Sequence, residues 1–259
     1  MGGARRIGTD DRSIDQAVDA LRGDNVIAFP TETVYGLGAS TFSEPGLQRI
    51  YNLKNRPADN PLIAHVENTE QARAITVGWD DRCSLLAEAW WPGPLTLVLA
   101  RDPSVPGLAS GGRPTLAVRS PEHPVARAIL RTFGGPISAP SANRSGGVSP
   151  TRAEHVLKDY SDLPEDQLLL VVDGGKCRVG IESTVLDMTI DPPRILRPGV
   201  LTAEVLQPLL GEVTSLDLQD VSMSPGTMAR HYAPQTTCVL VEADAVESHL
   251  GDHDPRCVL

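Results

Sequence analysis

Ile14, Ala17, Val18 and Leu21 recur at helical spacing and Gly23 follows, which predicts an amphipathic helix over 13–21 with a glycine stop. The next apolar run, Val26-Ile27-Ala28-Phe29, is short, unbroken and closed by Pro30, the pattern of a buried strand. The same two periods then share the chain. Helices are expected at 43–53, with Ser43 as N-cap and Leu47, Ile50, Tyr51 and Leu53 inward, and at 69–75. Further helices are expected at 81–90, with Leu85, Leu86, Ala89 and Trp90 on one side, and at 124–133, 150–160 and 202–210. Strands are expected at 62–66, 95–100, 115–119, 168–172, 180–187 and 194–199. Strands outnumber strict strand-helix-strand units, so the fold class is α/β in the α+β sense, a mixed, twisted sheet. Beyond Gly211 the period fades and Pro225 to Pro234 encloses Arg230, His231 and Tyr232, which reads as a linker or lid.

Candidate chemistry concentrates where the period breaks. Residues 138–151, Ser-Ala-Pro-Ser-Ala-Asn-Arg-Ser-Gly-Gly-Val-Ser-Pro-Thr, hold hydroxyls, an amide and two glycines, with Arg144 the one formal charge. Glycines admit close approach of backbone N–H groups, and Ser149-Pro150 reads as a helix start, so the stretch fits an anion cradle. A solvated Gly/Ser loop fits it equally. Thr31-Glu32-Thr33-Val34-Tyr35-Gly36 sits at a strand end, where ligands gather in α/β sheets, and also fits an ordinary turn. Lys54-Asn55-Arg56-Pro57 places two cations at a helix C-terminus. They complement the dipole there, and they would equally suit a polyphosphate. His65 fits a satisfied core histidine. Asp173-Gly174-Gly175-Lys176 is no Walker A loop, because Leu170 stands at the first glycine position and Cys177 at the Ser/Thr.

Composition narrows the classes. A net charge of -10 argues against a broad grip on nucleic acid. Cys83, Cys177, Cys238 and Cys257 form no C-x-x-C pair, so neither zinc nor a disulfide framework is indicated, and a reduced, cytoplasmic setting is expected. No apolar run approaches ~18 residues, so no membrane span or signal peptide is expected.

Pro30 to Gly38, Lys54 to Pro61, the 138–151 stretch, Ile181 to Asp187, Ile195 to Gly199 and Ser224 to Pro234 together resemble the YrdC-like threonylcarbamoyl-AMP synthase family in its longer form. The resemblance implies a twisted, largely antiparallel sheet flanked by helices around a concave basic cleft. It implies a catalytic domain over 10–211, a linker or lid over 212–236 and a shortened second-domain stub over 237–259. The implied reaction joins L-threonine, bicarbonate and ATP, with Mg2+, into threonylcarbamoyl-AMP and diphosphate. That product would go to a tRNA threonylcarbamoyl transferase complex, with weak or no direct tRNA binding. The family's Lys-x-Arg and Ser-x-Asn signature falls on Lys54, Arg56, Ser141 and Asn143. Threonine contacts carry over to Thr33, His65, Arg119, Ala139 and Ser183. ATP contacts carry over to Arg56, Asn60, Thr115, Ser141, Ser149, Arg197 and Tyr232. The family's linker usually has a basic residue where Thr227-Met228-Ala229 stands. An RNA-binding module of the same fold is the alternative, and it predicts tight, salt-sensitive RNA binding. A carbamoyl-adenylate transferase is a second, and would be accompanied by a zinc-finger cysteine pattern that is not seen.

Overall fold

The computed structural model of the chain describes residues 3–164 and 167–215. The expected linker from 216 onward, Tyr232 within it and the 237–259 stub lie outside the described residues.

Strands β1 (Gly3–Ile7), β2 (Ile27–Pro30), β3 (Tyr35–Ser40), β4 (Ile63–His65), β5 (Thr76–Val77) and β6 (Leu95–Arg101) come from the first part of the chain. β7 (Thr115–Arg119), β8 (Ile137–Ala139), β9 (Leu168–Val172), β10 (Thr184–Asp187), β11 (Arg194–Arg197) and β12 (Thr214–Ser215) complete one sheet. Its order is β1-β9-β2-β3-β8-β4-β7-β6-β10-β11-β12, with β5 paired to β6. Antiparallel pairs (β2/β3, β3/β8, β4/β8, β5/β6, β6/β7, β10/β11) are interspersed with parallel ones (β1/β9, β2/β9, β4/β7, β6/β10, β11/β12). The sheet is therefore mixed, as the uneven run of strands and helices in the sequence predicts.

Helices α1 (Asp11–Arg22), α2 (Glu44–Lys54), α3 (Thr69–Ile75), α4 (Asp81–Trp90), α5 (Pro124–Phe133), α6 (Ala153–Asp159) and α7 (Ala203–Leu210) cover it. Side chains alternate across a strand, and that period sorts the core. On one face Ala28, Leu37, Ala64, Leu97, Val118, Val171 and Leu186 join α2, α3, α4, α6 and α7 in one large cluster. On the other, Ile27, Phe29, Ile137, Ala139, Leu170 and Val172 pack against α1 and α5. Further along that second face, Ile63, Val98, Ala117, Val185 and Leu196 form a small cluster made only of strand residues. Near where the two clusters of that face meet, the sheet surface becomes the floor of a site.

Three expectations need correction. No helix begins at Ser149-Pro150: α6 begins at Ala153, with Arg152 at its cap. Ser149 Oγ instead donates to Glu182, and the Pro150 carbonyl accepts from the Tyr35 N–H, so the loop is drawn onto β3 before it can turn helical. In α4 the buried side is Cys83, Leu86 and Ala87, while Leu85 is exposed, because the large cluster meets the helix one position later. The expected strand at 180–187 is regular only from Thr184, since the Gly180 N–H is spent on the Thr33 carbonyl.

Candidate active site

The turn 31–34 joins β2 to β3 and is closed by its own threonines. Thr31 Oγ1 donates to the Val34 carbonyl at 2.6 Å, receives the N–H groups of Thr33 and Val34, and lies 2.8 Å from Thr33 Oγ1. Such local hydroxyl bonds favour a turn over continuation of a strand. Period two then sets Ile63 and His65 on β4, Thr115, Ala117 and Arg119 on β7, Ala139 on β8 and Thr96 on β6 on the face opposite the large cluster. A pocket opens there, lined by Thr31, Thr33, Val34, Gly36, Ile63, His65, Arg119, Ala139, Pro140, Ser141, Glu182, Ser183 and Arg197. Thr33, His65, Arg119, Ala139 and Ser183, which the resemblance gave to threonine, all stand on its wall. Ser141 and Arg197, given to ATP, stand beside them.

Each wall residue is held from behind. Arg119 is 3% exposed and donates through Nη2 to Glu32 at 2.6 Å, through Nη1 to Thr33 Oγ1 at 3.0 Å and through Nε to the Gly93 carbonyl at 3.2 Å. Glu32 also accepts from the Glu122 N–H. Burial would raise the Glu32 pKa, but the Arg119 charge and hydrogen bond outweigh it and hold it below the usual carboxylate value. His65 Nδ1 lies 3.1 Å from the Ile63 carbonyl, and its ring meets Phe29 edge-on at 5.7 Å. Burial first, and the neighbouring Arg119 second, push His65 down to about 3, so it is a neutral imidazole at pH 7.

The second half of the site starts at the end of α2. Asn55, left-handed at φ 50, caps that helix and turns the chain away. Lys54, 1% exposed, points its Nζ at the Ser141 carbonyl, 2.7 Å away, and at the Asn143 carbonyl, while the Lys54 carbonyl accepts from the Ser145 N–H. Burial and then Arg56 lower the Lys54 pKa, and the charges of Glu182 and Asp159 oppose them. Lys54 therefore clamps the loop, a role its place at a helix C-terminus does not reveal. Arg56 ties the turn 56–61 through Asn60 Oδ1 (2.6 Å) and the Asn60 and Pro61 carbonyls. Asn143 donates to the Arg144 and Gly147 carbonyls, both at 2.8 Å.

Ser183 Oγ lies 2.8 Å from Thr96 Oγ1 and accepts from Arg197 Nη2 at 3.0 Å, and Arg197 also grips the Ser183 carbonyl. Glu182 takes Arg197 Nη1 on one oxygen (2.6 Å) and Ser149 Oγ on the other (3.0 Å). The Lys54, Arg56, Asn60 and Asn143 side chains do not line the pocket; Lys54 and Asn143 reach it through the Ser141 loop. Thr115 shares the Arg119 face of β7, four residues or roughly 13 Å away along the strand. Sequence reasoning missed Glu32 and Glu182. The only hint was an acidic residue inside each of two apolar, hydroxyl-rich strand ends.

The chain belongs to the Sua5/YciO/YrdC family, whose profile, described as telomere recombination, matches residues 19–199. A second profile, the threonylcarbamoyl-AMP synthase C-terminal domain, matches residues 201–256. The chain is 43% identical over 231 residues to the threonylcarbamoyl-AMP synthase of Pyrococcus abyssi, covering 87% of this chain and 67% of that protein. It is 41% identical over 241 residues to the enzyme of that name from Bacillus subtilis, covering 91% and 68%. The crystal structure of P. abyssi Sua5 complexed with L-threonine superposes with a TM-score of 0.87 at 40% identity, over 96% of this chain and 74% of that one. E. coli YciO superposes at 0.67 and 25% identity, over 80% of this chain and 100% of that one.

Proposed function

We propose that this chain is an L-threonylcarbamoyladenylate synthase. It is a nucleotidyltransferase that converts L-threonine, bicarbonate and ATP into threonylcarbamoyl-AMP and diphosphate for tRNA modification. The observation that carries it is the convergence of Thr33, His65, Arg119, Ala139 and Ser183 on one pocket that Ser141 and Arg197 also border. The relative solved with L-threonine superposes on this chain with a TM-score of 0.87.

The residues suit the task. Three of the five N–H donors of Arg119 are bonded within the protein, and the rest of its fork suits a free carboxylate. The neutral His65 leaves Arg119 as the cation at that end. Thr33 and Ser183 suit the substrate hydroxyl, and an amino acid lacking it leaves a polar group unpaired at about 1–3 kcal/mol, which disfavours valine. The threonine amine adds to bicarbonate-derived CO2 to give a carbamate, whose oxygen attacks the α-phosphorus as diphosphate leaves. The chain needs no nucleophile for this, only placement and charge. Arg56 and Arg197 supply charge toward the phosphates, Lys54 holds the Ser141 loop in place, and Asn60, Thr115, Asn143 and Ser149 supply neutral contacts. Among the described residues no group of three His, Cys, Asp or Glu side chains could hold a metal, and the Mg2+ of this scheme enters with ATP. Tyr232 and the linker around it would close over the mixed anhydride and exclude water. The product passes to a tRNA threonylcarbamoyl transferase complex in the cytoplasm. Among the described residues no helix is long and apolar enough to cross a membrane.

Diphosphate release from ATP, measured with bicarbonate and each amino acid in turn, tests the proposal. Release should depend on L-threonine and should fall by about a hundredfold or more in Lys54→Ala. Release indifferent to threonine, or undiminished in that variant, overturns it.

A further inference from the structure

An α-amino acid carries two charges, and the pocket must answer both. Its carboxylate has a partner in Arg119. Its ammonium needs an acceptor, best a charged one, because a charged group taken from water is costly to leave unpaired. Thr31, Thr33, Ser141 and Ser183 offer only neutral oxygens, and Thr33 and Ser183 are those assigned above to the substrate hydroxyl. Among the described lining residues the one carboxylate is Glu182. Glu32, the other nearby acid, lies behind Arg119, is 2% exposed and does not line the pocket.

The direction of the chemistry also selects Glu182. The amine becomes the carbamate that meets the α-phosphorus, so the amine must face the nucleotide side while the carboxylate faces away. Glu182 stands on that side, bonded to Ser149 and Arg197, two of the residues given to ATP. β7, which carries Arg119, and β10, which Glu182 precedes by two residues, are separated by β6 alone, two strand spacings or roughly 10 Å, and both side chains line the pocket. A threonine held between the two would have its ends sorted by charge.

We propose that Glu182 receives the threonine ammonium, fixing the substrate with its amine toward the nucleotide contacts. The assignment rests on L-threonine being the substrate, as proposed above. It makes Glu182 a specificity residue for a free α-amino group, beyond its hold on Ser149 and Arg197.

Calorimetric titration of the full chain with L-threonine, and separately with a non-hydrolysable ATP analogue, tests it in wild type, Glu182→Gln and Glu182→Asp. Glu182→Gln keeps an oxygen for Ser149 or Arg197 and removes the charge. It should weaken threonine by about ten- to a hundredfold, the weight of a charge-assisted hydrogen bond, and weaken the ATP analogue by distinctly less, at most the roughly threefold to tenfold expected of losing the Ser149 bond. Glu182→Asp keeps the charge on a shorter arm and should fall between, which preserves the test if the glutamine variant folds poorly. Threonine affinity unchanged in Glu182→Gln overturns the assignment. So does an equal loss for both ligands, which would reduce Glu182 to a structural tether. A wild-type chain that binds no threonine would instead fail the functional proposal, and this one with it.

Discussion

The two arginines on the pocket wall keep their carboxylates in different places. The Arg119/Glu32 pair has side chains 4% and 3% exposed, with the acid behind the base and away from the cavity. The Arg197/Glu182 pair is 9% and 11% exposed, with the acid on the wall beside the base. A carboxylate behind an arginine compensates its charge and fixes its fork without competing in front. A carboxylate on the wall meets whatever enters. The first pair is thus part of the fold that happens to face a ligand, and the second is part of the ligand's own surroundings.

Removing each acid separates the two. Glu32→Ala strands a buried guanidinium and should cost about 3–5 kcal/mol of unfolding free energy in urea. Glu182→Ala should cost much less, and equal losses would erase the distinction. Gly199→Ala probes the frame around the second pair: a Cβ there would lie 2.4 Å from the Thr184 N–H nitrogen, so β10 and β11 must part. The expected loss is about 1–3 kcal/mol, with weaker ATP-analogue binding, because Arg197 ends β11. An unaltered variant would show that this link does not position Arg197.

Acid should find the first pair. His65 takes up its proton near pH 3 in the folded chain but near 6.5 when unfolded. Between those values the unfolded state binds more protons, so stability falls as pH drops, by up to about 1.4 kcal/mol per pH unit. Glu32 has a depressed folded pKa, so its contribution is present above 4.5 and is lost as pH falls through the lower folded value. Urea unfolding from pH 7 to 4 should slope accordingly, and His65→Gln should flatten the part above 4.5. The smallest effect is expected from Ser149→Ala, which removes one neutral donor to Glu182; KM for ATP should rise by about threefold to tenfold, with unfolding unchanged.

Much of the frame was legible because its signals are local. α3, α5, β7 and β9 carry strong periods and clear stops, and their observed bounds match those read from the sequence. β1, Gly3-Ala4-Arg5-Arg6-Ile7, gives no alternation and exists by pairing in parallel with β9, a partner more than 160 positions away. The α6 start failed for a similar reason, since Ser149 and Pro150 found distant partners in Glu182 and Tyr35. At the site, short donors and cations crowded at strand ends marked the right stretches, and the family pattern named residues within them. Only their place among apolar and hydroxyl residues hinted at Glu32 and Glu182, and it gave them no role, because an acid's meaning depends on which base it meets.

The sequence by itself determined the alternation of the strands, the stops of the helices and the places where polar groups interrupt them. Those depend on neighbours within a few residues, where period and backbone preference act. The tertiary structure decided that Lys54 would clamp the Ser141 loop, that His65 would be neutral, and that one glutamate would stand behind its arginine and the other beside it. Charge placement of that kind is set by burial and by contacts across the sheet, and neither is defined until the strands have found their order.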